Sequence, residues 1–170
     1  MLSFDIRALD EHAAQVDGRL DATDPVWQEG DSLPRDGVRA TGRLSNAGSG
    51  RYYWSGQISG TAELSCRRCL APAVAHVSDN VGIVFAEADD EEVDDPDVYR
   101  IPTRAHALDL REAIREQWLL SVPAYALCRS DCRGLCPQCG ADLNAGPCDC
   151  AVATTDSRWD ALRKIRGETR

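Results

Sequence analysis

Residues 52–65 read YYWSGQISGTAELS, and the alternation within them decides the fold. Tyr52, Trp54, Gly56, Ile58, Gly60, Ala62 and Leu64 share one face. Tyr53, Ser55, Gln57, Ser59, Thr61, Glu63 and Ser65 share the other. A strict period of two predicts a strand with one face buried and one wet. Gly56 and Gly60 fall on the apolar face, where a missing side chain lets a strand bend. Downstream, Ala73, Ala75, Val77, Val81, Ile83 and Phe85 mark a returning strand. Upstream, Val38, Ala40, Gly42 and Leu44 alternate with Arg39, Thr41, Arg43 and Ser45, and NAGSG at 46–50 supplies a reversal. Leu2, Phe4, Ile6 and Ala8 alternate in the same way and predict a first strand over residues 2–8. Residues 1–86 are therefore expected to form a curved antiparallel meander or a partly open barrel.

The pattern changes after the acidic run EADDEEVDDPD at 87–97. That run carries eight acids and no base, nearly the whole of the chain's net charge of −9. A solvated, mobile acidic segment is expected over 87–104. LDLREAIREQWLL at 108–120 has helical spacing through Leu110, Ala113, Ile114 and Trp118. Asp109 and Glu112 are placed to cap that helix, and Pro123 to stop it. DSRWDALRKIR at 156–166 predicts a second helix with apolar and basic faces apart. The sum is one α+β domain over 1–170: β portion 1–86, acidic segment 87–104, then helix, cysteine-rich knuckle and C-terminal helix over 105–170.

Eight cysteines occur in four close pairs: Cys66 with Cys69, Cys128 with Cys132, Cys136 with Cys139, and Cys148 with Cys150. The first pair sits between the last two predicted strands, at a hairpin tip. Four short chelating pairs suit two tetrahedral four-cysteine sites, since zinc takes thiolates at ~2.3 Å in that geometry. CPQCG at 136–140 is the most specific piece, with Pro137 fixing φ and Gly140 free to adopt positive φ. A thiol oxidoreductase would open a long helix on its first cysteine, but Asn-Ala-Gly-Pro at 144–147 forbids one. The C-x2-C-x2-C spacing of a ferredoxin is missing. The spacing thus favours two structural zinc ions over an iron–sulfur cluster, a redox pair or a disulfide.

The opening residues MLSFDIRALDEH do not resemble a signal peptide, and no apolar run is long enough to cross a bilayer. A cytoplasmic protein with reduced thiols is expected, with neither a membrane nor a small-molecule substrate as partner. No G-x-S-x-G, H-E-x-x-H, Walker A or G-x-G-x-x-G motif is present. His12, His76 and His106 are scattered, and eight committed thiolates leave no open metal position for a catalytic water. An enzyme is not expected.

C-x-x-C-L at 66–70, CRSDCRGLCPQCGADLN…CDC at 128–150 and D-x-R-W-x-x-L at 156–162 together resemble the YceD family, the large ribosomal RNA subunit accumulation proteins. The resemblance spans roughly residues 64–165, and departs where the family's Asp-Pro-Arg is replaced by Asp156-Ser157-Arg158. It implies a non-catalytic factor in ribosome assembly or ribosomal RNA stability, with RNA or a basic ribosomal protein of the large subunit as partner. It also implies that Cys66 and Cys69 complete their site with Cys128 and Cys132, leaving Cys136, Cys139, Cys148 and Cys150 as a local one. In this reading the RNA contacts are Arg39 and Arg43 on the polar strand face, Arg67 and Arg68 at the hairpin tip, and Arg158, Arg163, Lys164 and Arg166 on the last helix. Each taken singly is an ordinary solvated base. The alternative class is a metal-handling or thiol-redox protein, in which the metal exchanges.

Overall fold

The computed structural model describes residues 1–88 and 97–150. Along the chain run β1 (Ser3–Asp5), α1 (Ile6–Glu11), β2 (Ala14–Leu20), β3 (Val38–Gly48), β4 (Arg51–Ser65), β5 (Pro72–Glu87), β6 (Tyr99–Ile101), β7 (Ala107–Asp109) and α2 (Arg111–Ser121). The architecture is α+β and the main sheet is open. Its strand order is β2-β3-β4-β5-β6, antiparallel up to β5, with β6 joining in parallel. A second, two-stranded sheet pairs β1 with β7.

The β4–β5 hairpin dominates this arrangement. Its register runs without a break from Arg51 opposite Ala86 to Ser65 opposite Pro72. The expected inner face is the buried one: Tyr52, Trp54, Ile58 and Ala62 of β4 and Val77, Val81, Ile83 and Phe85 of β5 are in the core. Across that face lies α2, whose Ala113, Ile114 and Trp118 are buried. Trp54 and Trp118 are fully enclosed, and truncating such side chains costs about 3–5 kcal/mol. The two glycines of β4 serve close approach. A Cβ on Gly60 would stand 2.8 Å from Cζ3 of Trp118, so this glycine makes room for the helix. Gly56 lies directly opposite Gly42, and a Cβ there would collide with the Thr41 carbonyl oxygen.

Four elements differ from the expectation. Residues 2–8 do not form one strand: β1 ends at Asp5, whose side chain accepts the Ala8 N–H at 3.0 Å and starts α1. A good N-cap outweighs a short alternation. The alternation of Ala14, Val16, Gly18 and Leu20 builds β2, a strand not foreseen. Helix α2 starts at Arg111, because residues 107–109 pair with β1, and the Asp109 carboxylate turns onto the Arg111 backbone and guanidinium. Within 87–104, read as an acidic connector, Tyr99–Ile101 forms β6, and Ile101 is buried. The acidic residues 89–96 and the helix expected over 156–166 lie outside the described residues.

Candidate metal centre

The turn after β4 brings Cys66 and Cys69 to the hairpin tip, as the spacing required. Cys66 N–H donates to the Ala71 carbonyl at 2.7 Å, and Leu70 N–H to the Cys66 carbonyl at 2.8 Å. The second knuckle repeats the pattern: Cys136 N–H donates to Ala141 at 2.8 Å, and Gly140 N–H to Cys136 at 2.9 Å. The backbone left over from each turn points at sulfur. The Cys66 thiol is drawn down to about 6 by the backbone N–H of Cys128, with those of Cys69 and Arg68 assisting. The Cys136 thiol is drawn to about 6 by the N–H groups of Cys139 and Gln138.

Chain returning from α2 completes the first cluster. Arg67 N–H donates to the Ala126 carbonyl at 2.9 Å and Leu135 N–H to the Arg68 carbonyl at 3.0 Å, so the tip is held between residues 126 and 135. Cys66, Cys69, Cys128 and Cys132 then converge with all four sulfurs within 4.8 Å of one another. Cys136, Cys139, Cys148 and Cys150 form a second tetrad by the same measure. The Cys66 and Cys132 sulfurs are 3.7 Å apart, those of Cys69 and Cys128 3.6 Å. A tetrahedron of sulfurs around zinc at ~2.3 Å has edges of about 3.8 Å. The donor set and its spacing therefore fit a tetrahedral thiophilic cation. Charge agrees: Cys128 is pushed up to about 12 by desolvation and by its neighbouring sulfurs, and Cys150 to about 12, first by Cys139. Four thiolates this close repel, and a dication is what allows all of them to ionise.

Surroundings support the sulfurs. The side-chain amide of Asn144 donates to the Cys132 sulfur at 3.6 Å, and its oxygen accepts from the Arg133 backbone at 2.8 Å and from Arg129 at 2.9 Å. A residue from the loop of the second knuckle thus braces a ligand of the first, the kind of outer partner that orients metal ligands. Sequence reasoning missed Asn144; nothing in ADLN marks it without the fold. Cys66, Ala73 and Cys132 form a small apolar cluster apart from the main core.

The candidate RNA contacts fall into separate places. Arg39 and Arg43 stand on the exposed face of β3, Arg39 within 3.2 Å of Asp17. Arg67 and Arg68 are at the tip: Arg67 lies 4.0 Å over the Tyr125 ring, and Arg68 donates to the Cys132 carbonyl at 2.8 Å. Arg158, Arg163, Lys164 and Arg166 lie outside the described residues. Among the described residues no helix is long and apolar enough to cross a membrane.

Comparison with known proteins adds the following. A family model described as large ribosomal RNA subunit accumulation protein YceD matches residues 54–166, which include both tetrads. An uncharacterized protein of Mycobacterium tuberculosis (strain H37Rv) is 32% identical over 116 residues, 66% of this chain and 55% of the relative. The chloroplastic large ribosomal RNA subunit accumulation protein YCED homolog 1 of Arabidopsis thaliana is 33% identical over 77 residues, 45% of this chain and 24% of that protein. Its Zea mays counterpart is 27% identical over 130 residues, 59% and 44% of the two chains. This chain thus spans about half the length, or less, of these curated relatives. No solved structure matches it.

Proposed function

The chain belongs to the YceD family of large ribosomal RNA subunit accumulation proteins, and we propose that it is a non-catalytic, zinc-binding factor in large-subunit ribosomal RNA accumulation or ribosome assembly. The observation that carries the metal half is the pair of cysteine tetrads, each with its sulfurs within 4.8 Å, and in the first with spacings of 3.6 and 3.7 Å close to the edge of a zinc tetrahedron. Cys66, Cys69, Cys128 and Cys132 hold one ion, and Cys136, Cys139, Cys148 and Cys150 the other. Four protein ligands close the coordination sphere, which suits a structural ion and leaves no position for a substrate. A reducing compartment such as the cytoplasm keeps the eight thiols available.

The family's description supports the other half, with ribosomal RNA or a basic large-subunit protein as partner. Arg39, Arg43, Arg67 and Arg68 are the described candidates for phosphate contact. Elemental analysis of protein purified without added metal should return about two zinc per chain. A value near zero, or an iron–sulfur spectrum, overturns the metal reading. A pull-down from lysate with and without nuclease separates an RNA partner from a protein one.

A second reading, a metal-handling or thiol-redox protein, is favoured by the exposure of Cys128 and Cys139. Release of zinc to a competing chelator with the fold intact supports it. Melting on zinc removal supports a structural site instead.

A further inference from the structure

The two knuckles make the same turn, and they differ in the residue that follows the second cysteine. In the second, Gly140 takes φ +72°. In the first, the equivalent residue is Leu70, at φ +63°. The turn needs that conformation, because it directs the Ala71 N–H onto the Cys69 sulfur. It does not need leucine, for which the left-handed region is strained. Space does not dictate the choice either: a Cβ on Gly140 would meet nothing within 4 Å. Nor does burial reward the side chain, since Leu70 is 67% exposed. A bulky apolar residue here is strained and wet, two costs that glycine avoids. Such outliers persist where function holds them.

Leu70 is not alone at this end of the molecule. Tyr125 is 71% exposed, and Arg67 of the tip stacks over its ring at 4.0 Å. Arg68 is beside it in the chain, and Arg133 is next to Gly134, which packs on Arg68. Arg129 is close to Asp131, at 3.3 Å. Four guanidinium groups thus gather around the first tetrad, with Asp131 and, through Asn144, Asp142 among them. The tip combines a planar aromatic–guanidinium pair, an exposed apolar side chain and further guanidinium groups. That is the chemistry on which unpaired bases stack while phosphates are held.

We propose that the hairpin tip formed by Arg67, Leu70 and Tyr125 is a docking surface for unpaired bases of RNA. The proposal rests on the RNA reading of the preceding subsection and names its contact surface. Leu70 and Tyr125 take bases by apolar and stacking contact, and Arg67 fixes the ring and meets the backbone.

The test uses the full zinc-loaded chain and a labelled single-stranded RNA oligomer of mixed sequence, with the same oligomer as a duplex. Leu70→Gly should keep the zinc content and melt at the same temperature or higher, because strain is relieved. It should nevertheless weaken single-strand binding, and Tyr125→Ala should do likewise, each by roughly 5- to 100-fold. Both should leave the salt dependence unchanged, whereas Arg67→Ala should reduce its slope by about one ion. Leu120→Ala, an equally exposed leucine on α2, is the control and should bind as the parent does. Parent-like binding by Leu70→Gly and Tyr125→Ala overturns the proposal and leaves the RNA reading standing. Absence of RNA binding by the parent overturns both. A Leu70→Gly variant that melts earlier or loses zinc shows a structural leucine, and preference for the duplex shows another mode; either outcome overturns the proposal.

Discussion

Asp31 and Arg115 lie 84 positions apart, yet their side chains meet in a two-pronged contact at 2.7 and 2.8 Å. Together with the Trp118 indole, which donates to the Ser32 carbonyl at 2.7 Å, they fasten the segment between β2 and β3 to α2. The Arg115 fork, joined by the Gln28 backbone N–H, holds the Asp31 carboxyl below its ordinary range. A carboxyl with a depressed folded-state value stabilises the fold above its unfolded value, about 4, and loses that contribution as pH falls through the folded one. Asp31→Asn should therefore melt earlier than the parent at neutral pH. The gap should narrow as the pH drops below about 4, where the parent's carboxyl also becomes neutral. Melting curves across that range check it; a gap that is constant or widens in acid would show that the ion pair is not its source. No sequence pattern announced this pair, because neither residue belongs to a periodic face that the other extends.

At the level of elements, legibility follows the length of the pattern. The alternation of β4 covers fifteen residues and that of β5 sixteen, so their faces and their tip were readable without any neighbour. The strands β1, β6 and β7 have three residues each and exist only through their partners. Leu108 and Leu110 illustrate the ambiguity: spaced by two, they read as the first turn of a helix, and the structure divides them between β7 and the residue before α2. The cysteine pairs were legible for a different reason. Chelation by a short loop is local, and Cys66-x2-Cys69 and Cys136-x2-Cys139 each close one turn. How the pairs combine is not local. It depends on α2 ending at Ser121, on Val122 extending ahead of Pro123, and on the chain then returning to the hairpin tip.

That return makes the two tetrads unequal. The Cys69–Cys128 contact spans 59 positions, whereas the second tetrad is confined to a few residues on either side of its loop. Loop-closure entropy rises by about 0.6 kcal/mol per doubling, so the long closure is worth roughly 1.5 kcal/mol more. In a chain of this size that is about 3–6 °C of melting temperature. Cys69→Ser should therefore lower the melting temperature more than Cys148→Ser, by several degrees in circular dichroism. The reverse order would show that the distant segments are held by packing and not through the metal.

On the scale of the whole molecule, the two ends of the β4–β5 hairpin differ in character. The cysteine tip with Arg67, Arg68, Arg129 and Arg133 is at one end of the β4–β5 hairpin. At the other end β6 pairs with Phe85–Glu87, and Asp97, Glu112 and Glu116 line a groove of about 890 Å³ between β5, β6, β7 and α2. The two basic residues of α2 are engaged by aspartates: Arg111 pairs with Asp24 and Asp109, and Arg115 with Asp31. In the sequence, six acids at positions 89–92, 94 and 95 stand between Ala88 and Asp97. Salt damps interactions between charges beyond about 8–10 Å at physiological strength. Replacing those six acids with Gly and Ser changes the net charge from −9 to −3 and leaves the tip untouched. Binding of the same single-stranded oligomer should tighten at low salt, where the long-range field survives, and the gain should vanish near about 0.15 M. A gain that persists at high salt would mean that the acids compete with RNA at the contact surface itself. Weaker binding after the replacement would mean that the acidic end holds a basic group needed for RNA capture, and the separation of the two ends would lose its functional meaning.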